Sequence, residues 1–273
     1  MRGDDGQVNS LPRLIATDLD GTIVRHDGSV SARVLEAFAA AVAAGVRIVF
    51  VTGRPPRWMA EVADVTGHAG VGICANGAFV YDMHDEVVLE TFAMSAEVAV
   101  DAVARVQDVL PTSAFAVEAL SGFSYEPAYR PRWDIHEPTT VGPIHGLLSG
   151  DIAKLLVRDD EIPGDAMLAA AEPAVAGVVE VTHSDANDSL LELSALGVTK
   201  ATTLAMLAAR WGIAQDEVVA FGDMPNDTDM LKWAGRGYAV GNAHPSVLAV
   251  ADEHAPSIHD DGVAQVLERL LAL

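Results

Sequence analysis

Short apolar runs that each end in a polar, glycine-containing turn recur along the chain: RLIAT before DLDGT, VRIVFV before TGR, VGICA before NGA and EVVAF before GDMPND. Continuous runs of this kind, rich in Val and Ile, mark strands buried on both faces. Between the first two, Val34, Leu35, Phe38 and Val42 share one helical face, with Ser31 placed to cap the start and Gly45 to stop the end. A second helix is predicted from about Thr199 to Trp211, closed by Gly212, ahead of a strand around Val218 to Phe221; another runs from Gly262 to Leu270. Strands alternating with helices predict an α/β fold with a mostly parallel, Rossmann-like sheet covered on both faces. Such sheets bind ligands outside the carboxyl ends of their strands, so DLDGT, TGR and GDMPND are predicted to converge although far apart in sequence.

From about Thr91 to Asp188 the pattern changes. A helix-like stretch (AEVAVDAVARVQDVL), a turn-rich region (YEPAYRPRWDIHEPTTVGP), the strand-like IAKLLV, an Ala-rich helix near Asp165 to Glu172 and VVEVTH together read as an inserted α+β domain. The predicted organisation is a disordered leader over 1–10, a core over 11–90 and 189–273, and the insert over 91–188. The core resumes with Leu190 to Phe221.

Composition narrows the function. The chain has 273 residues, half of them hydrophobic, enough for one large or two modest cores. A net charge of −22 repels nucleic-acid phosphates and anionic lipid surfaces, which leaves small molecules as the expected partners. The most apolar stretch, Ala37 to Val51, is interrupted by Gly45 and Arg47 and is too short to span a membrane. The polar, acidic start lacks the features of a secretory signal, and a lone cysteine excludes an internal disulfide, so a cytoplasmic protein is expected. Cys74, inside VGIC, reads as a buried core thiol. No sequence feature fixes the oligomeric state.

The turns carry the chemistry. Asp18 and Asp20 sit two apart after an apolar strand, and carboxylates this close are stable chiefly when a hard cation neutralises them. With Asp18 held at a divalent metal its carboxylate is placed to attack phosphorus, while Asp20 can protonate the leaving oxygen and later activate water. Thr52 and Gly53 offer a hydroxyl and an unhindered N–H to a phosphoryl oxygen. Lys200 falls at the first position of a helix, where ammonium and helix terminus both attract an anion. Asp223 is placed as a further metal carboxylate, with Asn226 and Asp227 orienting the phosphoryl site around it.

In order and spacing these four motifs, DLDGT, TG, the Lys of GVTKATTL and GDMPND, resemble those of the haloacid dehalogenase superfamily, in its Cof-type (subclass IIB) phosphatases. The gap of roughly 146 residues between Arg54 and Lys200 matches the place where that branch inserts an α+β cap of the C2 type. NGA at Asn76 and YAVGNAHPSV from Tyr238 extend the likeness. The resemblance implies an Mg²⁺-dependent phosphatase of small phosphorylated metabolites, sugar phosphates first, acting through an aspartyl-phosphate. By that analogy Asp18 is the nucleophile and Asp20 the general acid/base, whose backbone carbonyl also ligates the metal. Asp18 and Asp223 supply metal carboxylates, and Thr52, Gly53 and Lys200 bind the phosphoryl group. Asn226 and Asp227 complete the site. A hexose phosphomutase of the same superfamily and a non-catalytic Mg²⁺- and phosphate-binding module are the alternatives. One departure is Ala201, where the family usually has Gly after the Lys. For the leaving group, the candidate contacts are Arg54 and Asn76 and, from the insert, Arg130, Arg132, Trp133, His136, Lys154 and His183, with YRPRWDIH the first place to look. His244 and His259 read as surface residues.

Overall fold

The computed structural model describes residues 11–68, 70–132, 135, 139–184 and 188–272. The predicted leader lies outside them, as do Trp133 and His136. In chain order the first elements are β1 (Leu14–Thr17), α1 (Ala32–Ala43), β2 (Arg47–Val51), α2 (Met59–Thr66), β3 (Val71–Cys74), β4 (Phe79–Asp82) and β5 (Val87–Thr91). There follow α3 (Ala96–Val109), β6 (Ala114–Ala119), β7 (Gly122–Tyr125), β8 (Thr140–Val141), α4 (Ile144–Leu147), β9 (Ile152–Arg158), α5 (Gly164–Val175), β10 (Val179–Thr182) and β11 (Leu190–Ala195). The chain closes with α6 (Lys200–Arg210), β12 (Val218–Gly222), α7 (Thr228–Trp233), β13 (Arg236–Val240), α8 (Pro245–Leu248), β14 (Glu253–Ala255) and α9 (Gly262–Leu271).

Two sheets result. The first has eight strands in the order β14-β13-β12-β1-β2-β3-β4-β5, parallel from β14 to β3. Leu14, Ile15, Val49, Phe50, Val219 and Phe221 are all but inaccessible to solvent, as continuous apolar strands covered on both faces require. Each such side chain contributes roughly 1.5–3 kcal/mol of burial. β4 and β5 extend the sheet antiparallel, an addition the alternating pattern did not announce. In α1, Ser31 accepts the N–H of Val34 and Gly45 follows the last turn with φ +83°, as expected. Val42, however, is 50% exposed; Ala37 and Ala41 fill the buried face beside Val34 and Phe38, because small side chains let the helix sit close to the sheet.

The second sheet, β10-β11-β9-β6-β7-β8, is antiparallel except for the last pair. Helices α3 and α5 pack on one face, where Ala99, Val103, Met167, Leu155, Val157, Leu191 and Leu193 form a separate core. β11 belongs here, pairing with β9 and β10, so the expectation that the first core resumes at residue 189 is corrected: the return comes after Ala195. The reason lies in LLELSA itself. Leu191 and Leu193 point to the helices while Glu192 and Ser194 take the other face, the period-two alternation of a sheet with one apolar side. No helix among the described residues is long and apolar enough to cross a membrane.

Candidate active site

β12, β1 and β2 are neighbours at the centre of the first sheet; the chain runs from β1 to β2 on one side and, returning from the inserted layer through α6, adds β12 on the other, which opens a crevice at their carboxyl ends. Asp18, Thr52 and Asp223 all emerge there. The Asp18 N–H donates to the Phe221 carbonyl at 3.0 Å and that of Thr52 to Ile73 at 2.8 Å, so each strand pins the next one's functional residue. Gly21 has φ +82°, and a Cβ on it would lie 2.3 Å from Asp223 Oδ2; only glycine lets the two turns meet. Thr22 Oγ1 donates to Asp223 Oδ1 at 3.0 Å. Thr52 Oγ1 accepts the N–H of Arg54 at 3.0 Å, which tightens the turn and leaves the hydroxyl proton to donate.

Lys200 opens α6, with Thr199 and Thr202 capping each other around it. Its ammonium is fully buried and donates to Asp18 Oδ1 at 2.5 Å and Asp227 Oδ1 at 2.7 Å. Asp227 Oδ2 accepts the backbone N–H groups of Asp223 and Met224 at 3.0 and 3.1 Å. Asp227 therefore spends both oxygens on fixing the turn and the lysine. Ala201 packs its methyl into the core beneath the site, which accounts for its fit in place of glycine.

Asp18, Asp223 and Asp227 each offer an oxygen within 4.8 Å of the others, against the single ammonium of Lys200. Burial, then Asp227 and Asp20, push the Asp18 carboxyl up to about 7 despite Lys200. Burial, then Asp18 and Asp227, push Asp223 up to about 9. Burial alone would lower Lys200, but Asp18 and Asp227 outweigh it and hold the ammonium above its ordinary range. An all-oxygen set with surplus negative charge fits a hard divalent cation. The expected metal carboxylates Asp18 and Asp223 are thus together, while the carboxylate that completes the cluster is Asp227. That of Asp20 turns away, 56% exposed, into a two-pronged pair with Arg54 at 2.5 and 2.8 Å.

The polar face of the second sheet looks onto this crevice. Strand alternation sets Glu118, Lys154 and Glu192 on one face of β6, β9 and β11, Glu118 opposite Lys154 and Glu192 opposite Leu156, with all three charged residues buried. Lys154 pairs with Glu192 and also donates to the Gly53 carbonyl at 2.9 Å, so it reaches the turn that carries Thr52. Burial would raise Glu192, yet Lys154 and Asn76 hold it below its ordinary range. Asn76 Nδ2 donates to Glu192 Oε2 at 3.1 Å, and Asn226 Nδ2 donates to Asn76 Oδ1 at 3.1 Å. Asn76 has φ +57° in a turn where Ala75 is also left-handed, a strained arrangement that aims its amide between the two sheets. Between the sheets lies a cleft of about 170 Å³ that runs from Asp18, Asp20, Gly53 and Asn226 to Arg57, Trp58, Glu118 and Leu190.

Of the leaving-group candidates, Arg54, Asn76 and Lys154 stand at or around this cleft. Arg130 is exposed away from it. Arg132 pairs with Asp160 and Asp188 at 3.2 and 3.0 Å, and His183 is buried against Asp165 at 2.9 Å; neither lines the cleft. Trp133 and His136 fall outside the described residues. His244 is not a free surface residue, since its ring faces Asp165 at 3.3 Å and that of His183 at 5.7 Å. Arg57, Trp58, Glu118 and Glu192 escaped the sequence reading. A signal for the two glutamates was present: a carboxylate inside an otherwise apolar strand, in AFAVEA and LLELSA.

A parallel sheet that gathers acidic turns and one buried lysine at its switch point, under an inserted α+β layer, defines the class: an α/β enzyme with a metal-ready carboxylate site. The family model for haloacid dehalogenase-like hydrolases matches residues 15–267, and the chain belongs to that family. It is 26% identical to the 5-amino-6-(5-phospho-D-ribitylamino)uracil phosphatase YitU of Bacillus subtilis, covering 97% of this chain and 100% of that one. It is also 26% identical to the phosphoglycolate phosphatase of Methanothermobacter thermautotrophicus, over 95% of this chain and 99% of the relative. Among solved structures, the phosphatase BT1666 from Bacteroides thetaiotaomicron superposes with a TM-score of 0.79 at 24% identity, covering 100% of both chains, a likeness of fold.

Proposed function

We propose that this protein is an Mg²⁺-dependent phosphatase of small phosphorylated metabolites, with sugar and polyol monophosphates foremost, working through a phosphorylated Asp18. The observation that carries the reading is Asp18 itself: a buried carboxylate at the switch point, lining the cleft, with one oxygen held by Lys200. Asp18, Asp223 and the main-chain carbonyl of Asp20 would hold the ion, with Asp227 behind them. When bound, Mg²⁺ screens the carboxylates from an incoming phosphate and polarises the phosphoryl oxygens.

The residues then divide the work. Thr52, the Gly53 N–H, Asn226 and Lys200 bind the phosphoryl oxygens and turn phosphorus towards Asp18. The free oxygen of Asp18 bonds to phosphorus as the ester P–O bond breaks, and Asp20 delivers its proton to the leaving oxygen. Asp20 then takes a proton from water, whose oxygen bonds to phosphorus and releases phosphate and the Asp18 carboxylate. Arg54 keeps Asp20 at the mouth of the cleft between these steps. The second sheet acts as a cap that carries the contacts to the leaving group and keeps other water out. The lone buried thiol agrees with a cytoplasmic setting.

Phosphate release from a panel of sugar, polyol and nucleotide monophosphates, with and without Mg²⁺, tests the reading. Metal-dependent release that disappears in Asp18→Asn is the expected result. Release that survives in a folded Asp18→Asn protein, or none from any ester, would overturn it.

A further inference from the structure

Among the described residues, the cations at the leaving-group end of the cleft are all paired with carboxylates. Among the described residues lining it the cations are Arg54, Arg57 and Lys154, and each is held by a carboxylate: Asp20, Glu118 and Glu192 respectively. Glu118, Lys154 and Glu192 are each only 4% exposed, so these pairs are little screened by solvent. Lys200 is committed as well, to Asp18 and Asp227. Besides Gly53, Ser184 and Asn226, the uncharged part of the wall is apolar, formed by Pro55, Trp58, Leu156, Leu190 and Met224.

A second anion on the substrate would meet, in Arg57 and Lys154, cations that already hold carboxylate partners. It would have to break a buried pair, which strands a carboxylate, or lie against Glu118 and Glu192 with its own charge uncompensated. A hydroxyl or ring N–H meets the opposite situation, since carboxylates accept from it without rearrangement while its carbon skeleton covers Trp58 and the leucines.

We propose that the cleft selects phosphomonoesters whose leaving group is uncharged and bears hydroxyl or N–H donors, and that the Arg57–Glu118 and Lys154–Glu192 pairs reject leaving groups carrying a second anion. This rests on the phosphatase reading above. It also divides the relatives: a ribitylaminouracil leaving group fits, whereas the carboxylate of glycolate does not.

Glycerol 3-phosphate and 3-phosphoglycerate differ by a CH₂OH against a carboxylate and make a matched pair of probes. With Mg²⁺ present, kcat/KM is expected to favour glycerol 3-phosphate by roughly 30-fold or more. In Glu118→Gln, which removes the carboxylate paired with Arg57, the ratio should shrink at least about fivefold; the double variant Arg57→Gln/Glu118→Gln removes both charges and should return it towards the original value. Equal kcat/KM for the two probes, preference for phosphoglycerate, or a ratio unmoved in a folded Glu118→Gln protein would overturn the proposal. The wild-type ratio decides even if the variants fail to fold. Turnover of neither probe nor of p-nitrophenyl phosphate would instead remove the phosphatase reading and this inference with it.

Discussion

The acidic crevice of the first sheet and the polar face of the second are both buried and both charged, yet they are balanced differently. In the crevice three carboxylates share one ammonium, and two of them are driven far above the ordinary carboxylate range. On the sheet face Lys154 answers Glu192 and Arg57 answers Glu118, and Glu192 is held below its usual range. Unmatched charge is a cost that only a ligand relieves, so it marks where chemistry is done. Matched charge is complete in itself, and it shapes a pocket without needing anything to arrive.

Substitutions in the two regions should therefore differ in kind. Asp18→Asn should abolish phosphate release by on the order of 10⁴-fold or more while leaving the metal-free protein at least as stable as the original, because it removes repulsion; paired activity and melting measurements check both halves. Lys154→Met does the reverse. It strands Glu192 in a buried site and should cost roughly 3–5 kcal/mol, read from the urea midpoint, with a smaller loss of activity.

Metal and pH sharpen the contrast. The folded-state values of Asp18 (about 7) and Asp223 (about 9) both lie above those of an unfolded chain, so the metal-free native state binds protons that the unfolded state does not. Stability from these groups is fully present at acid pH and is lost as pH rises through about 7 and then about 9. Added Mg²⁺ should accordingly raise the melting temperature by about 5 °C or more at pH 9 and by less than about 2 °C at pH 5. A melting temperature equally insensitive to Mg²⁺ at both pH values would contradict the cation site.

The smallest effect belongs to a third place where the layers touch. Asp165, at the start of α5, reaches His183 and His244 across the mouth of the site, but its side chain is 65% exposed. Asp165→Asn should change stability by less than about 1 kcal/mol, measured by the same urea titration, against the several lost at Lys154.

The crevice was legible in the sequence because its residues sit in turns, where each polar letter interrupts an apolar run and declares itself. DLDGT, TGR, Lys200 and GDMPND all came to the switch point that the alternation of strands and helices predicted. The polar face of the second sheet was not legible in the same way. Glu118 and Glu192 lie inside strands, and which residues face them depends on register across β6, β9 and β11, a property of pairing rather than of any one segment. YRPRWDIH drew attention through its composition, yet Arg132 is engaged with Asp160 and Asp188 away from the cleft. The boundary near residue 189 failed for a related reason: LLELSA has the Leu content of a core strand, and only its alternation places it in the other sheet.

The seating of the inserted layer on the turn after β3 bears on how the chain reaches its fold. The outgoing segment is tied there by the Phe92 N–H to Ala78, at 2.7 Å, and the returning one by the approach of Gly77 to the Thr199 carbonyl, where a Cβ would stand 2.5 Å away. β1 cannot meet β12 until some 200 residues later, since Leu14 lies opposite Val218. The strands of the inserted layer are much nearer to one another in sequence. If that layer forms first, its two ends are brought to adjacent residues and the long loop shrinks to a short one, lowering the entropy of the final closure. On a ribosome the inserted layer would then be complete while the central sheet still waited for three of its six parallel strands, β12, β13 and β14, and the exposed edge of β1 would be the segment most in need of protection by chaperones.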